Sequence, residues 1–208
     1  MEKVVETSQT KDVAEKITYE EFLEKYTDVH AEWVDGEAIV LMTASDKHQD
    51  LVRWFITVLS LFVETYDLGW LRPAPFNMQL PHLERGREPD ILFVSKERLQ
   101  IVQTAHLSDA ADLVIEIVSP ESIGRDRGDK FVEYEAAGVR EYWLIDPDRE
   151  QAEFYQLADT GRYRLATLDA EGLFHSAVLP DFWLKVDWLW QDPLPKVLDV
   201  VREFGLLK

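Results

Sequence analysis

Residues 112–147 read DLVIEIVSPESIGRDRGDKFVEYEAAGVREYWLIDP, and this stretch decides the fold. Asp112 to Val118 is apolar apart from Glu116. Such a run predicts a central strand covered on both faces. Ser119-Pro120 ends it, because proline has no N–H to donate to a sheet ladder. Asp126 to Ala137 is predicted as a helix, opened near Asp126 or Gly128 and closed by Gly138. Val139 to Asp146 predicts a second buried strand, stopped by Pro147. Strand, helix and strand in this order imply a right-handed crossover between roughly neighbouring parallel strands.

Upstream, Thr18-Tyr19-Glu20-Glu21 resembles a capping box and predicts a short helix ending near Tyr26. Glu32 to Leu41 predicts a hairpin turning on Asp35-Gly36. His48 to about Tyr66 is a long helix, since Leu51, Val52, Phe55, Ile56, Leu59, Phe62 and Val63 recur at helical spacing. Trp70 to Leu80 predicts one edge or bulged strand, interrupted by Pro73 and Pro75. Arg87 to Val94 predicts another. Downstream, residues 151–157, 162–168 and 173–178 predict antiparallel strands, and a last helix is expected from about Pro193 to Phe204. The expected architecture is α/β (α+β), a mixed central β-sheet flanked by helices with additional antiparallel strands. No Gly/Ser or Pro-rich linker divides the chain, so residues 17–208 are expected to form a single domain behind a flexible tail, Met1 to Lys16.

The 208 residues are 46% hydrophobic, with 7 Trp, 7 Tyr and 10 Phe, which excludes a disordered chain. With no cysteine there is no disulfide framework and no thiolate metal site. No apolar run approaches the roughly 18 residues of a membrane span, and the charged N-terminus lacks a signal-peptide core. The expectation is a soluble cytoplasmic protein with no membrane partner. Its formal net charge is −18, which opposes broad nucleic-acid binding. Binding is local, however. His82, Arg85 and Arg87 precede Asp90, and Arg125, Arg127 and Lys130 follow Glu116.

Asp90 and Glu116 are the first chemical candidates. Each sits beside or inside an apolar run, where an ionised carboxylate is unfavourable unless compensated. Two convergent carboxylates suggest a hard divalent cation, Mg²⁺ or Mn²⁺. The plain alternative is that Asp90 caps a turn after Pro89 and Glu116 pairs with an arginine. Lys130, early in the following helix, could swing back to orient or deprotonate a water or to stabilise charge. It could equally be a solvated lysine pairing with Glu133 or Asp126. Glu32 could add a carboxylate or be a surface cross-strand partner. His48 could bind phosphate or assist proton transfer, or be a polar first-turn residue. The run from Gly124 to Lys130 lacks the order of a phosphate-binding P-loop, and no nucleophile elbow or His-Glu-x-x-His motif occurs. Trp143, Trp183, Trp188 and Trp190 are expected as core or dimer-interface anchors.

Together, Glu116-Ile117-Val118-Ser119-Pro120-Glu121-Ser122, then Asp126, Lys130 and Tyr134, then Ala137 to Pro147 resemble the Uma-type restriction endonuclease family. Glu32-Trp33-Val34-Asp35-Gly36-Glu37, His48 and Pro89-Asp90 resemble its earlier motifs. The resemblance covers about Ile17 to Leu168. This family is placed in the PD-(D/E)XK nuclease superfamily, which implies a restriction-endonuclease-like core and Mg²⁺-dependent phosphodiester hydrolysis of nucleic acid, DNA foremost. It implies that Asp90, Glu116 and the Ile117 carbonyl are metal ligands. Lys130 becomes the catalytic lysine, relocated from the Val118 position, and Glu32 an accessory acid. His48, Arg87, Arg125 and Arg127 are the expected substrate-binding residues. A homodimer or higher homo-oligomer is also implied. Glu121 departs from the small residue usual after Ser-Pro and adds negative charge near the substrate path. Two other readings stay open: a catalytically inactive oligomeric binding module, and a metal-dependent hydrolase of another phosphoester.

Overall fold

Two sheets share the work that a single central sheet was expected to do. The computed structural model describes residues 16–41 and 45–207. The expected tail therefore lies outside the described residues except for Lys16.

The small sheet contains β1 (Ala31–Val34), β2 (Glu37–Val40), β4 (Asn77–Leu80), β5 (Arg85–Arg87) and β7 (His106–Leu107), in the order β2-β1-β5-β4-β7. The large sheet contains β3 (Gly69–Pro73), β6 (Ile91–Ser95), β8 (Leu113–Ile117), β9 (Glu141–Asp146), β10 (Gln151–Leu157) and β11 (Tyr163–Leu165). Its order is β11-β10-β9-β8-β6-β3. Only β8 and β9 run parallel there, Leu113 opposite Glu141, with α3 (Lys130–Ala137) as the crossover. A hairpin, β12 (Leu173–His175) with β13 (Trp183–Lys185), stands apart. The other helices are α1 (Tyr19–Lys25), α2 (Asp46–Thr65) and α4 (Val197–Glu203).

Local rules explain much of this. Thr18 and Glu21 form a reciprocal capping box at α1. Asp35 and Gly36 both take positive φ, 51° and 88°, the backbone a two-residue hairpin demands. Ser45 caps α2 through the His48 amide. Along β8 the side chains alternate. Leu113, Ile115 and Ile117 join Trp54, Phe55, Leu59 and Trp143 under α2, whereas Val114 joins Met78, Leu92, Tyr134 and Tyr142 on the opposite face. Burying each such large apolar side chain contributes roughly 1.5–3 kcal/mol. Trp143 and Trp188 are buried in the α2-side core, with Trp183 and Trp190 packed against it.

Four expectations change. Residues 70–80 are two strands, not one: the break at residues 74–76 sends β3 to the large sheet and β4 to the small one. Residues 87–94 divide likewise, so that Glu88-Pro89-Asp90 crosses between the sheets. The predicted helix 126–137 opens with a π-helical turn, Arg125–Asp129, before α3 begins. The last helix starts at Val197, after the irregular stretch 191–196. No helix among the described residues is long and apolar enough to cross a membrane.

Candidate active site

Asp90 stands immediately before β6, which pairs antiparallel with β8, Ile91 opposite Ile115. Continuing that register by one residue sets Asp90 opposite Glu116. Two like charges placed so repel each other. Asp90 Oδ2 accepts from the Ile117 amide at 2.7 Å and meets His48 Nε2 at 3.1 Å. The Asp90 carbonyl is occupied by the Ala74 amide, 2.9 Å away.

Glu116 is the one charged residue of β8, and its side chain turns toward α3. Its Oε1 accepts from Lys130 Nζ and Tyr134 Oη, each at 2.8 Å. Lys130 and Tyr134 are one helical turn apart on α3, so both reach the same oxygen. Lys130 is 2% exposed, which contradicts the solvated-lysine reading. Its ammonium also lies 3.1 Å from Glu32 Oε1 and 3.4 Å from Asp126 Oδ1. One cation thus serves three carboxylates.

The protonation states follow. Burial pushes the Glu116 carboxyl up to about 8, Asp126 and Asp90 adding to the push and Lys130 opposing it. Burial alone would lower Lys130, but Glu116, Glu32 and Asp126 outweigh it and keep the ammonium charged. Glu32 is also raised by burial, yet Lys130, Arg87 and Arg125 hold it below its ordinary value. For His48, burial lowers and Asp90 raises, with the carboxylate prevailing.

His48, Asp90, Glu116, Ile117, Arg125 and Lys130 line one cleft of about 560 Å³. Three expected site residues do not reach it. Glu32 lies behind Lys130 with a fully buried side chain and is not a surface residue. Arg87 is 2% exposed, gripping Glu32 at 2.7 Å and Glu133 through two bonds at 2.7 and 2.9 Å. Arg127 pairs with Asp146 and Glu153. For Arg87 the reason is the strand switch at residues 88–90, which turns it into the space between the small sheet and α3. The cleft also takes in acids that the sequence did not single out for it, Asp126 and Glu88. Glu88 is held by His30 at 2.6 Å. The i, i+4 spacing of Asp126 and Lys130 was the available signal for the former.

The donor set suits a hard divalent cation. Asp90 and Glu116 each use one oxygen for hydrogen bonds, and Asp90 Oδ1 and Glu116 Oε2 receive none among the described residues. The Asp126 Oδ1 atom is buried without a hydrogen-bond partner. Among the described residues no three His, Asp or Glu side chains converge as a complete cage. Mg²⁺ needs none, since it commonly binds one or two carboxylates and keeps several waters.

The family described as "Putative restriction endonuclease", Uma2, matches residues 19–187. A solved structure described as "a putative nuclease belonging to DUF820" from Anabaena variabilis has a similar fold, with a TM-score of 0.68 at 19% identity. The similarity covers 84% of this chain and 97% of that one. No curated protein matches the chain.

Proposed function

The chain belongs to the Uma2 restriction endonuclease family, and from that membership and the cleft we propose a divalent-metal-dependent endonuclease that hydrolyses phosphodiester bonds in DNA. The observation that supports this most is the meeting of a buried lysine with Glu116 beside Asp90 at one cleft. Asp90, Glu116 and the Ile117 carbonyl would hold Mg²⁺ or Mn²⁺. When bound, such an ion supplies positive charge against the phosphoryl oxygens and acidifies a coordinated water.

The protein's own groups do the rest. Lys130 keeps its protons, so it acts as a hydrogen-bond donor that orients water or phosphate and stabilises developing negative charge, rather than as a base. Tyr134 and Glu32 hold it and Glu116 in place. His48 fixes the Asp90 carboxylate from the side. Arg125 supplies a guanidinium for a substrate phosphate. The same reading makes the enzyme a cytoplasmic homodimer or higher homo-oligomer, which sedimentation of the purified protein tests.

Purified protein incubated with plasmid and single-stranded DNA in Mg²⁺ or Mn²⁺ is the direct test. Wild type cleaves, whereas Glu116→Gln and Lys130→Met lose cleavage. Variants that cleave like wild type would sink the assignment. The net charge of −18 favours a second reading, a binding module on the same fold without cleavage. Cation binding at Asp90 and Glu116 without hydrolysis of any nucleic acid would support it.

A further inference from the structure

Asp126 is one of three cleft acids that the proposed chemistry leaves unused; Glu88 is held by His30 and Glu121 is exposed, whereas Asp126 is buried. It is 1% exposed and borders the cleft, and its Oδ1 has no hydrogen-bond partner. A buried carboxylate oxygen in that state is unfavourable. The nearest ammonium, Lys130, is 3.4 Å away and is already engaged more closely by Glu116 and Glu32. Of the three acids around that ammonium, Glu32 also has Arg87 and Glu116 also has Tyr134. Asp126 has no further side-chain donor among the described residues.

The main chain holds Asp126 where it is. Its amide donates to Ser122 O at 2.8 Å, and its carbonyl accepts from Tyr142 Oη at 3.1 Å. It belongs to the π-helical turn Arg125–Asp129, a widened turn that helices seldom retain and that recurs at functional sites. The turn sets beside Glu116 an acid whose one charged neighbour, Lys130, is shared with two other carboxylates.

We propose that Asp126 is a further carboxylate of the cation site, acting on cation-bound water rather than as a direct ligand. This rests on the metal reading of the cleft. The outer position follows from the absence of a three-side-chain cage among the described residues, whereas a hydrated ion presents waters that need acceptors. Outer-shell carboxylates of this kind typically change metal affinity about 10- to 100-fold when replaced.

Calorimetric titration with MnCl₂ tests this on wild type, Asp126→Asn and Glu116→Gln, with melting of each protein in EDTA alongside. Asp126→Asn keeps the volume and removes the charge. It is expected to weaken Mn²⁺ binding about 10- to 100-fold while melting in EDTA no lower than wild type. A merely structural role would lower the melting temperature and leave the affinity alone, which overturns the proposal. Wild-type affinity in Asp126→Asn, with binding lost in Glu116→Gln, also overturns the role of Asp126 and leaves the metal reading standing. No Mn²⁺ binding by wild type overturns both. Should Asp126→Asn not fold, Asp126→Ser is judged by the same affinity.

Discussion

Lys130 Nζ stands 2.8 Å from Glu116 Oε1 in the interior, although 14 residues of chain separate the two. The parallel crossover explains the pairing: α3 packs back over β8, so its first turn lies above the strand's one acid. The ammonium that serves the proposed chemistry is also the main charge balancing a buried acid cluster.

Lys130→Met should therefore destabilise the fold as well as abolish activity. Removing one partner from a buried ion pair typically costs about 3–5 kcal/mol. Urea denaturation of the two proteins measures it, and equal midpoints would show that the ammonium balances nothing.

Glu116 should make stability depend on pH. Its folded-state carboxyl is raised from an ordinary 4.5 to about 8. A raised acid favours the fold fully below the unfolded value, and that contribution is lost as pH rises through the folded one. The melting temperature in EDTA should fall between about pH 4.5 and 8, and Glu116→Gln should reduce the slope. Parallel pH profiles would refute this. Mn²⁺ should offset the fall, since it binds the ionised carboxylate.

Arg87 and Arg125 should behave oppositely. Arg87→Met breaks a buried network and should cost on the order of 3–5 kcal/mol, leaving DNA affinity of the folded protein unchanged. Arg125, 28% exposed at its side chain and 3.7 Å from Glu32, should contribute less than about 1 kcal/mol. Arg125→Ala should instead weaken DNA binding in fluorescence anisotropy. A stability loss for Arg125→Ala as large as that for Arg87→Met would reverse the two roles.

Gly138 closes α3 with φ +83°, and a Cβ added there meets open space. Gly138→Ala should thus cost only the left-handed strain, about 1–2 kcal/mol. A larger loss in thermal denaturation would reveal contacts other than backbone conformation.

Several of these relationships were readable in the sequence because they are local. Apolar continuity in 113–117 announced a strand covered on both faces. The Asp35-Gly36 pair announced a hairpin, and the spacing from Leu51 to Val63 announced α2. Each depends on side-chain periodicity or on the conformational freedom of one or two residues. The family's ordered motifs extended that reading to the set His48, Asp90, Glu116 and Lys130, which the fold brings to one cleft.

Other features depend on long-range geometry. The break at residues 74–76 could not reveal that β3 and β4 belong to different sheets, because strand propensity carries no partner identity. For the same reason Arg87 looked available to substrate, whereas the crossover at residues 88–90 buries it against Glu32 and Glu133. Periodicity at 3.6 residues per turn does not foresee a π-helical turn, so the orientation of Asp126 was also out of reach.

Sequence alone determined the βαβ crossover and most of the helices, and it singled out Asp90, Glu116 and Lys130 as candidates. The tertiary structure decided which of those charges meet. Asp90 faces Glu116 because β6 and β8 adopt one antiparallel register, and Glu32 reaches Lys130 because the small sheet packs against α3. Such contacts join residues up to 98 positions apart, as with Glu32 and Lys130, and only the simultaneous burial of both sheet faces selects them.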